Sequence, residues 1–243
     1  MRTEVLAPSA NSVATIIWLH GMGQEPEVMM DVAHRMGLVG HGVRNVFPAA
    51  PRRMTARTKK EPVRAWFQQD IFALHSIDIH GALDMEEELR SLVAHETQLA
   101  GHQRVIIAGF SQGAVAALML GLRYPGTIAG LLLYACYLPG ELESLLVTHR
   151  GPDVQVPVWL GHGTHDYVIP ISAGERLRDT LAAWGHPVSW QPYQARHEAF
   201  AEVRDEAESF LHGALGLSMR PLTPNDSALI ARPARTRGSA VRT

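Results

Sequence analysis

Val105-Ile106-Ile107-Ala108-Gly109-Phe110-Ser111-Gln112-Gly113-Ala114-Val115-Ala116-Ala117-Leu118-Met119-Leu120-Gly121-Leu122 contains no charged residue. Its first part is β-branched and apolar, as a buried parallel strand requires. Its last part is apolar all round, as a buried helix requires. Between them stands a G-x-S-x-G pentapeptide, residues 109–113. A serine on a sharp strand-to-helix turn takes a strained backbone, and glycines two residues either side let strand and helix approach. The turn lifts the hydroxyl above the sheet, toward N–H groups at the helix start that favour negative charge. The plainer alternative is a tight turn with an inert serine. A membrane span is disfavoured, because Gly109, Ser111, Gln112 and Gly113 interrupt residues 105–122, and Pro125, Gly126 and Pro139 interrupt 124–140.

Outward from this stretch, strand-like and helix-like runs alternate. Val13–Leu19, Val43–Phe47, Val105–Ala108, Ile128–Tyr134, Val156–Leu160 and Val188–Tyr193 read as strands. Helices are expected near Glu27–Leu38, Asp78–Leu99, Ala114–Leu122, Ile171–Trp184 and Glu198–Leu215. In the second of these, Ile79, Ala82, Leu83, Leu89, Leu92, Val93 and Leu99 form the apolar face, with Glu86, Glu87 and Arg90 opposite and Gly101 as the stop. Residues 51–64, basic and flanked by prolines, read as an excursion loop. The order predicts an α/β fold, a single domain with a mostly parallel central sheet flanked by helices.

The chain has 243 residues and a net charge of −2. That near-neutrality is an average. Residues 218–243 carry five arginines against Asp226, a net +4, and residues 1–217 carry 17 basic and 23 acidic residues, a net −6. The expected organisation is a catalytic domain over 1–217 and a basic, disordered tail over 218–243. The body has no basic field that argues for nucleic acid. The tail and the 52–64 loop leave nucleic-acid or membrane-surface association open, against the plainer reading of solvated segments. One cysteine, Cys136, excludes an intramolecular disulfide and a cysteine-based zinc site, and fits a reducing, cytoplasmic setting. No apolar signal segment is visible in residues 1–10.

A serine hydroxyl needs a base, and the base needs an orienting acid. In enzymes built on this turn the chain order is serine, acid, histidine. Asp166 follows the strand Val156–Leu160, and His197 follows Val188–Tyr193, so both stand at the carboxyl ends of strands. Asp153 and Asp179 are poorer acids by placement, and His165 is adjacent to the acid in sequence. Asp166 as a helix cap and His197 as a loop residue are the alternatives. His20-Gly21-Met22-Gly23 follows the strand Val13–Leu19. Such a turn can bring the Met22 N–H to join that of Gln112 in an oxyanion hole, unless it is an ordinary glycine turn.

With these segments in place, the chain resembles the carboxylesterase/lysophospholipase/acyl-protein thioesterase branch of the α/β-hydrolases. The similarity is carried by L-H-G-M-G at 19–23, F-P-A-A-P at 47–51, A-W-F at 65–67 and G-F-S-Q-G at 109–113. Y-L-P at 137–139, G-H-G-T-H-D-Y-V-I-P at 161–170 and Y-Q-A-R-H at 193–197 continue it in order. The resemblance implies Ser111 as nucleophile, His197 as base, Asp166 as orienting acid, and Met22 and Gln112 as the oxyanion hole. It also implies Trp66 and Val168 near the substrate pocket. Ala114, the Tyr134-Ala135-Cys136 run and Glu198-Ala199-Phe200 depart from the family pattern. The expected activity is a serine carboxylesterase, or alternatively an acyl-protein thioesterase or lysophospholipase for long acyl chains. A non-catalytic binding module on the same fold is the reading from another class. No metal or cofactor is expected. The expected partner is a small ester or acylated substrate, with no nucleic acid, no stable membrane insertion, and a homodimer as in many relatives.

Overall fold

A computed structural model describes residues 1–8, 12–55, 61–69, 74, 76–101, 103–149, 154–199 and 203–217. The expected tail, 218–243, lies outside the described residues, as do 56–60 of the basic loop, Asp153 and Phe200.

Seven strands form the central sheet: β1 (Thr3–Leu6), β2 (Ala14–Leu19), β3 (Val43–Pro48), β6 (Val105–Phe110), β7 (Gly130–Tyr134), β8 (Val158–Gly163) and β9 (Val188–Tyr193). Their spatial order is β1-β3-β2-β6-β7-β8-β9. All pairings are parallel except β1 with β3. The remaining strands, β4 (Arg52–Arg53) and β5 (Val63–Arg64), form a short antiparallel pair. The expected excursion loop is therefore a hairpin at its described ends.

Successive side chains of a strand point to opposite faces, and the core divides accordingly. Ile17, Leu19, Ile107, Leu131, Leu133 and Leu160 pack on one face under α2 (Ile79–Ala100), α3 (Gln112–Arg123), α4 (Gly140–His149) and α5 (Ile171–Ala183). Ile16, Trp18, Ile106, Ala108, Leu132 and Trp159 pack on the other, under α1 (Glu27–Met36) and α6 (Arg204–Leu215). The run 105–122 is thus β6 and α3, and 124–140 carries β7 between a short turn and a loop, both within the core. No helix among the described residues is long and apolar enough to cross a membrane.

Three expectations are corrected. β1 is an edge strand the alternation did not indicate; it is short and partly exposed, so it carries little apolar pattern. Glu86 belongs to the buried face of α2, where Arg123 meets its carboxylate at 3.1 Å, while Leu99 is exposed. A paired charge can be buried where an unpaired one cannot. The last helix begins at Arg204, not Glu198. The Tyr193 hydroxyl donates to the Glu198 carbonyl at 2.7 Å, and Glu198 N–H bonds Arg196 O, which holds that segment in a turn.

The strand order fixes where a site can form. From β2 the chain moves to β3 on one side, and later returns to β6 on the other. The crevice at such a reversal, beyond the carboxyl ends of the strands, is where open α/β sheets bind ligands. β2 ends at Leu19, paired with Gly109 of β6. The His20–Gly23 turn and Ser111 both issue from there.

Candidate active site

Ser111 stands between β6 and α3 with φ 53° and ψ −119°. A positive φ in a residue other than glycine costs about 1–3 kcal/mol and persists only where the surroundings enforce it. Here they do. Ser111 N–H donates to Tyr134 O at 2.9 Å, and Ala114 and Val115 N–H bond back to Ser111 O. The flanking glycines permit the turn. A Cβ on Gly109 would lie 2.5 Å from Gly113 O, and one on Gly113 would lie 2.2 Å from Leu19 O. Real Cβ atoms do not approach a main-chain oxygen so closely, so only glycine fits.

The β8–α5 and β9–α6 connections are tied together before either side chain is considered. Thr164 N–H donates to Tyr193 O at 2.8 Å, and His165 N–H donates to Ala195 O at 3.0 Å. Gly163 passes so near Arg196 that a Cβ would meet its carbonyl oxygen at 2.2 Å. These bonds set Asp166 beside His197. Asp166 Oδ2 accepts from His197 Nδ1 at 2.7 Å, and Oδ1 accepts from the N–H groups of Val168 and Ile169, both at 2.8 Å. A carboxylate only accepts, so Nδ1 carries a proton, and in the neutral ring Nε2 presents a lone pair. That lone pair faces Ser111 Oγ at 3.1 Å. The Phe110 ring supports the imidazole, centroid to centroid 4.8 Å.

Burial opposes ionisation of Asp166, but the bonds from His197, Ile169 and Val168 outweigh it and hold the carboxyl below its usual range. Asp166 is thus a carboxylate with its acceptor sites occupied. It is not a helix cap, because α5 starts at Ile171 behind Pro170. Asp179 pairs with Arg178 at the surface, and exposed His165 bonds Thr164.

Gln112 opens α3, so its N–H has no acceptor within the helix. In the facing turn, Gly21 N–H bonds Gln24 Oε1, Gly23 N–H bonds Arg64 O, and Gln24 N–H bonds Gly21 O. Among the described residues the Met22 N–H has no acceptor. The Trp66 ring is fully buried beneath this turn, and its Nε1–H donates to His20 O at 2.8 Å. Val168 is 40% exposed, in the loop that holds the acid. A cavity of about 300 Å³ opens beside His197, with Val28, Val32, Met36 and Ala199 in its wall and Arg35 and Arg204 among its charged residues. Among the described residues no cluster of His, Cys, Asp and Glu could hold a metal ion.

Two contributors escaped the sequence reading. One is the Gln112 side chain, bonded to the main chain of Trp66 and Phe67. The other is the His20 ring, which accepts from Ala50 N–H through Nε2 and meets Gly21 O through Nδ1. Because Nε2 accepts, the ring is neutral, and burial, then the charge of Arg64, hold it below its usual range. The H-G motif marked His20 only for its backbone.

The sequence profile of the Phospholipase/Carboxylesterase family, an α/β-hydrolase group, matches residues 1–214. The chain belongs to this family. It is similar to acyl-protein thioesterase 1 of Mycosarcoma maydis, 30% identical over 87% of this chain and 96% of that protein. It is also similar to acyl-protein thioesterase 1 of Yarrowia lipolytica, 29% identical over 81% of this chain and 90% of that protein. The crystal structure of Zea mays acyl-protein thioesterase 2 superposes with a TM-score of 0.72 at 24% identity, over 88% of this chain and 99% of that one, and shows the same fold.

Proposed function

We propose that this family member is a serine hydrolase that removes acyl groups through a covalent acyl-enzyme on Ser111. The observation that carries the reading is the unbroken line from Asp166 through His197 to Ser111, at 2.7 and 3.1 Å. In it, His197 Nε2 takes the Ser111 proton as Oγ attacks the acyl carbonyl. The N–H groups of Met22 and Gln112 receive the charge that develops on the carbonyl oxygen. His197 then protonates the departing alcohol or thiol, and the C–O or C–S bond breaks. Water repeats the sequence and releases the acid.

The names of the relatives move the favoured substrate from simple carboxylic esters to acyl thioesters and long-chain esters. Val168 is retained as a residue that lines the acyl path. The reading includes a cytoplasmic setting, no cofactor, and a small acylated molecule or acyl-protein as partner, with a homodimer to be tested by sedimentation.

Ser111→Ala tests the chemistry. It is expected to abolish p-nitrophenyl ester hydrolysis and fluorophosphonate labelling while leaving the thermal midpoint unchanged; retained turnover overturns the assignment. A matched series of oxygen and sulfur esters from butyryl to palmitoyl tests the substrate. Higher kcat/KM on palmitoyl thioesters supports the thioesterase reading, and a maximum on short oxygen esters restores the carboxylesterase.

A further inference from the structure

β2 and β6 hold the two arms of the site in register only as far as Leu19 and Gly109. Beyond those residues both chains leave the sheet, and something else must set the distance between Met22 and Gln112. The described hydrogen bonds trace a route through residues 64–67. The Gln112 side chain is buried, and both ends of its amide bond the main chain there. Its Oε1 accepts from Trp66 N–H at 2.9 Å, and its Nε2 donates to Phe67 O at 2.9 Å. The same segment then reaches the opposite arm. Trp66 Nε1–H donates to His20 O at 2.8 Å, and Arg64 O accepts from Gly23 N–H at 2.8 Å. Met22 is therefore bracketed on both sides by residues tied to the segment that Gln112 grips. Gln112 Nε2 also lies 3.9 Å from Met22 Sδ.

We propose that the side chains of Gln112 and Trp66 are positioning residues that set the separation of the Met22 and Gln112 N–H groups, making residues 64–67 a structural part of the oxyanion site. This rests on the serine-hydrolase reading above. Oxyanion donors act only within about 2.7–3.1 Å of the developing charge, and a displacement of about 1 Å costs about a hundredfold in rate. Both Gln112 amide bonds are buried, so losing them frees the arm rather than exchanging protein partners for water. The backbone N–H of residue 112 persists whatever its side chain, so its substitution separates positioning from donation.

The test uses the full-length protein with Trp66→Phe, Gln112→Met and the pair. Trp66→Phe keeps most of the buried ring and deletes the bond to His20 O. Each single variant is expected to lower kcat on a p-nitrophenyl ester about tenfold to a hundredfold with KM unchanged. Inhibition by a trifluoromethyl ketone, whose adduct on serine carries an oxyanion, is expected to weaken in proportion to kcat. The pair is expected to lose less than the product of the single losses, because both act through one segment. Folded variants that keep kcat within twofold, or that lose rate with inhibitor affinity intact, overturn the inference. If Gln112→Met does not fold, Trp66→Phe decides. Fluorophosphonate labelling of the wild-type protein separates the two failures: an unlabelled wild type sinks the serine-hydrolase reading itself, whereas a labelled wild type beside unaffected variants sinks only the positioning role.

Discussion

At the scale of single residues, the site depends on which atom of each side chain faces which neighbour. Asp166 shows this most directly. Its two oxygens have different duties: Oδ1 organises the turn through Val168 and Ile169, and Oδ2 holds His197. Asp166→Asn is expected to keep the turn, with the amide oxygen on the two N–H groups. The amide NH2 then faces His197 Nδ1, which must accept, and the ring proton moves to Nε2. An Nε2 that carries a proton cannot take one from Ser111. We expect kcat to fall about ten-thousandfold with little change in thermal midpoint; a loss under tenfold by steady-state kinetics contradicts the orienting role. Ser111, Asp166 and His197 stood out as candidates in the sequence because each follows a strand, and because Gly109 and Gly113 advertise a turn too crowded for any side chain. The Gln112 side chain was not legible. Its partners are 45 and 46 residues away, and nothing in the pentapeptide names them.

At the scale of elements, the ends of α2 were easier to read than its faces. Asp78 caps α2 by accepting from Gly81 N–H at 3.0 Å, and Gly101 follows its last residue with φ 90°. Both signals are local, since a cap acts on the first or last turn alone. Asp78→Ala is expected to lower unfolding stability by about 1 kcal/mol in urea titration without changing activity; no change would mean that packing alone fixes the start of α2. The faces of α2 are another matter. Glu86 and Glu96 are buried, the first against Arg123 and the second against Arg44 at 2.9 Å. Hydropathy counts a glutamate as polar, and only the distant arginine makes its burial tolerable. α4 was missed because it offers only Leu142 and Leu146 among its buried residues, too few for a clear period.

At the scale of the whole molecule, three buried ionisable groups near the site couple its stability to acidity. His20 and His162 are both held below the ordinary histidine value of 6.5, chiefly by burial. His162 bonds Ile169 O and lies 3.7 Å from Asp166. Between their lowered values and 6.5 the unfolded chain binds protons that the folded chain refuses, so stability falls as pH drops below about 6.5. Above that pH these histidines contribute no slope. Asp166 acts in a lower window: its stabilisation is complete above the ordinary 3.8 and is lost as pH falls through its depressed value. Thermal midpoints are expected to be level from pH 8 to about 7 and to decline toward pH 5. A profile flat down to pH 5 would show that neither histidine is held neutral.

By itself the sequence determined the alternation of strands and helices and the strained turn at Ser111, and it marked Asp166 and His197 as candidates for the acid and the base. These follow from backbone sterics and from apolar periodicity, forces that act over a few residues. Only the tertiary structure decided that β2 lies between β3 and β6, which makes the crevice, and that Asp166 meets His197 and His197 meets Ser111 across 31 and 86 residues. It also decided that Trp66 is a buried brace and that two glutamates of α2 sit inside. Each of these turns on a partner distant in the chain, and the free energy of such a contact exists only after packing has excluded water from both sides.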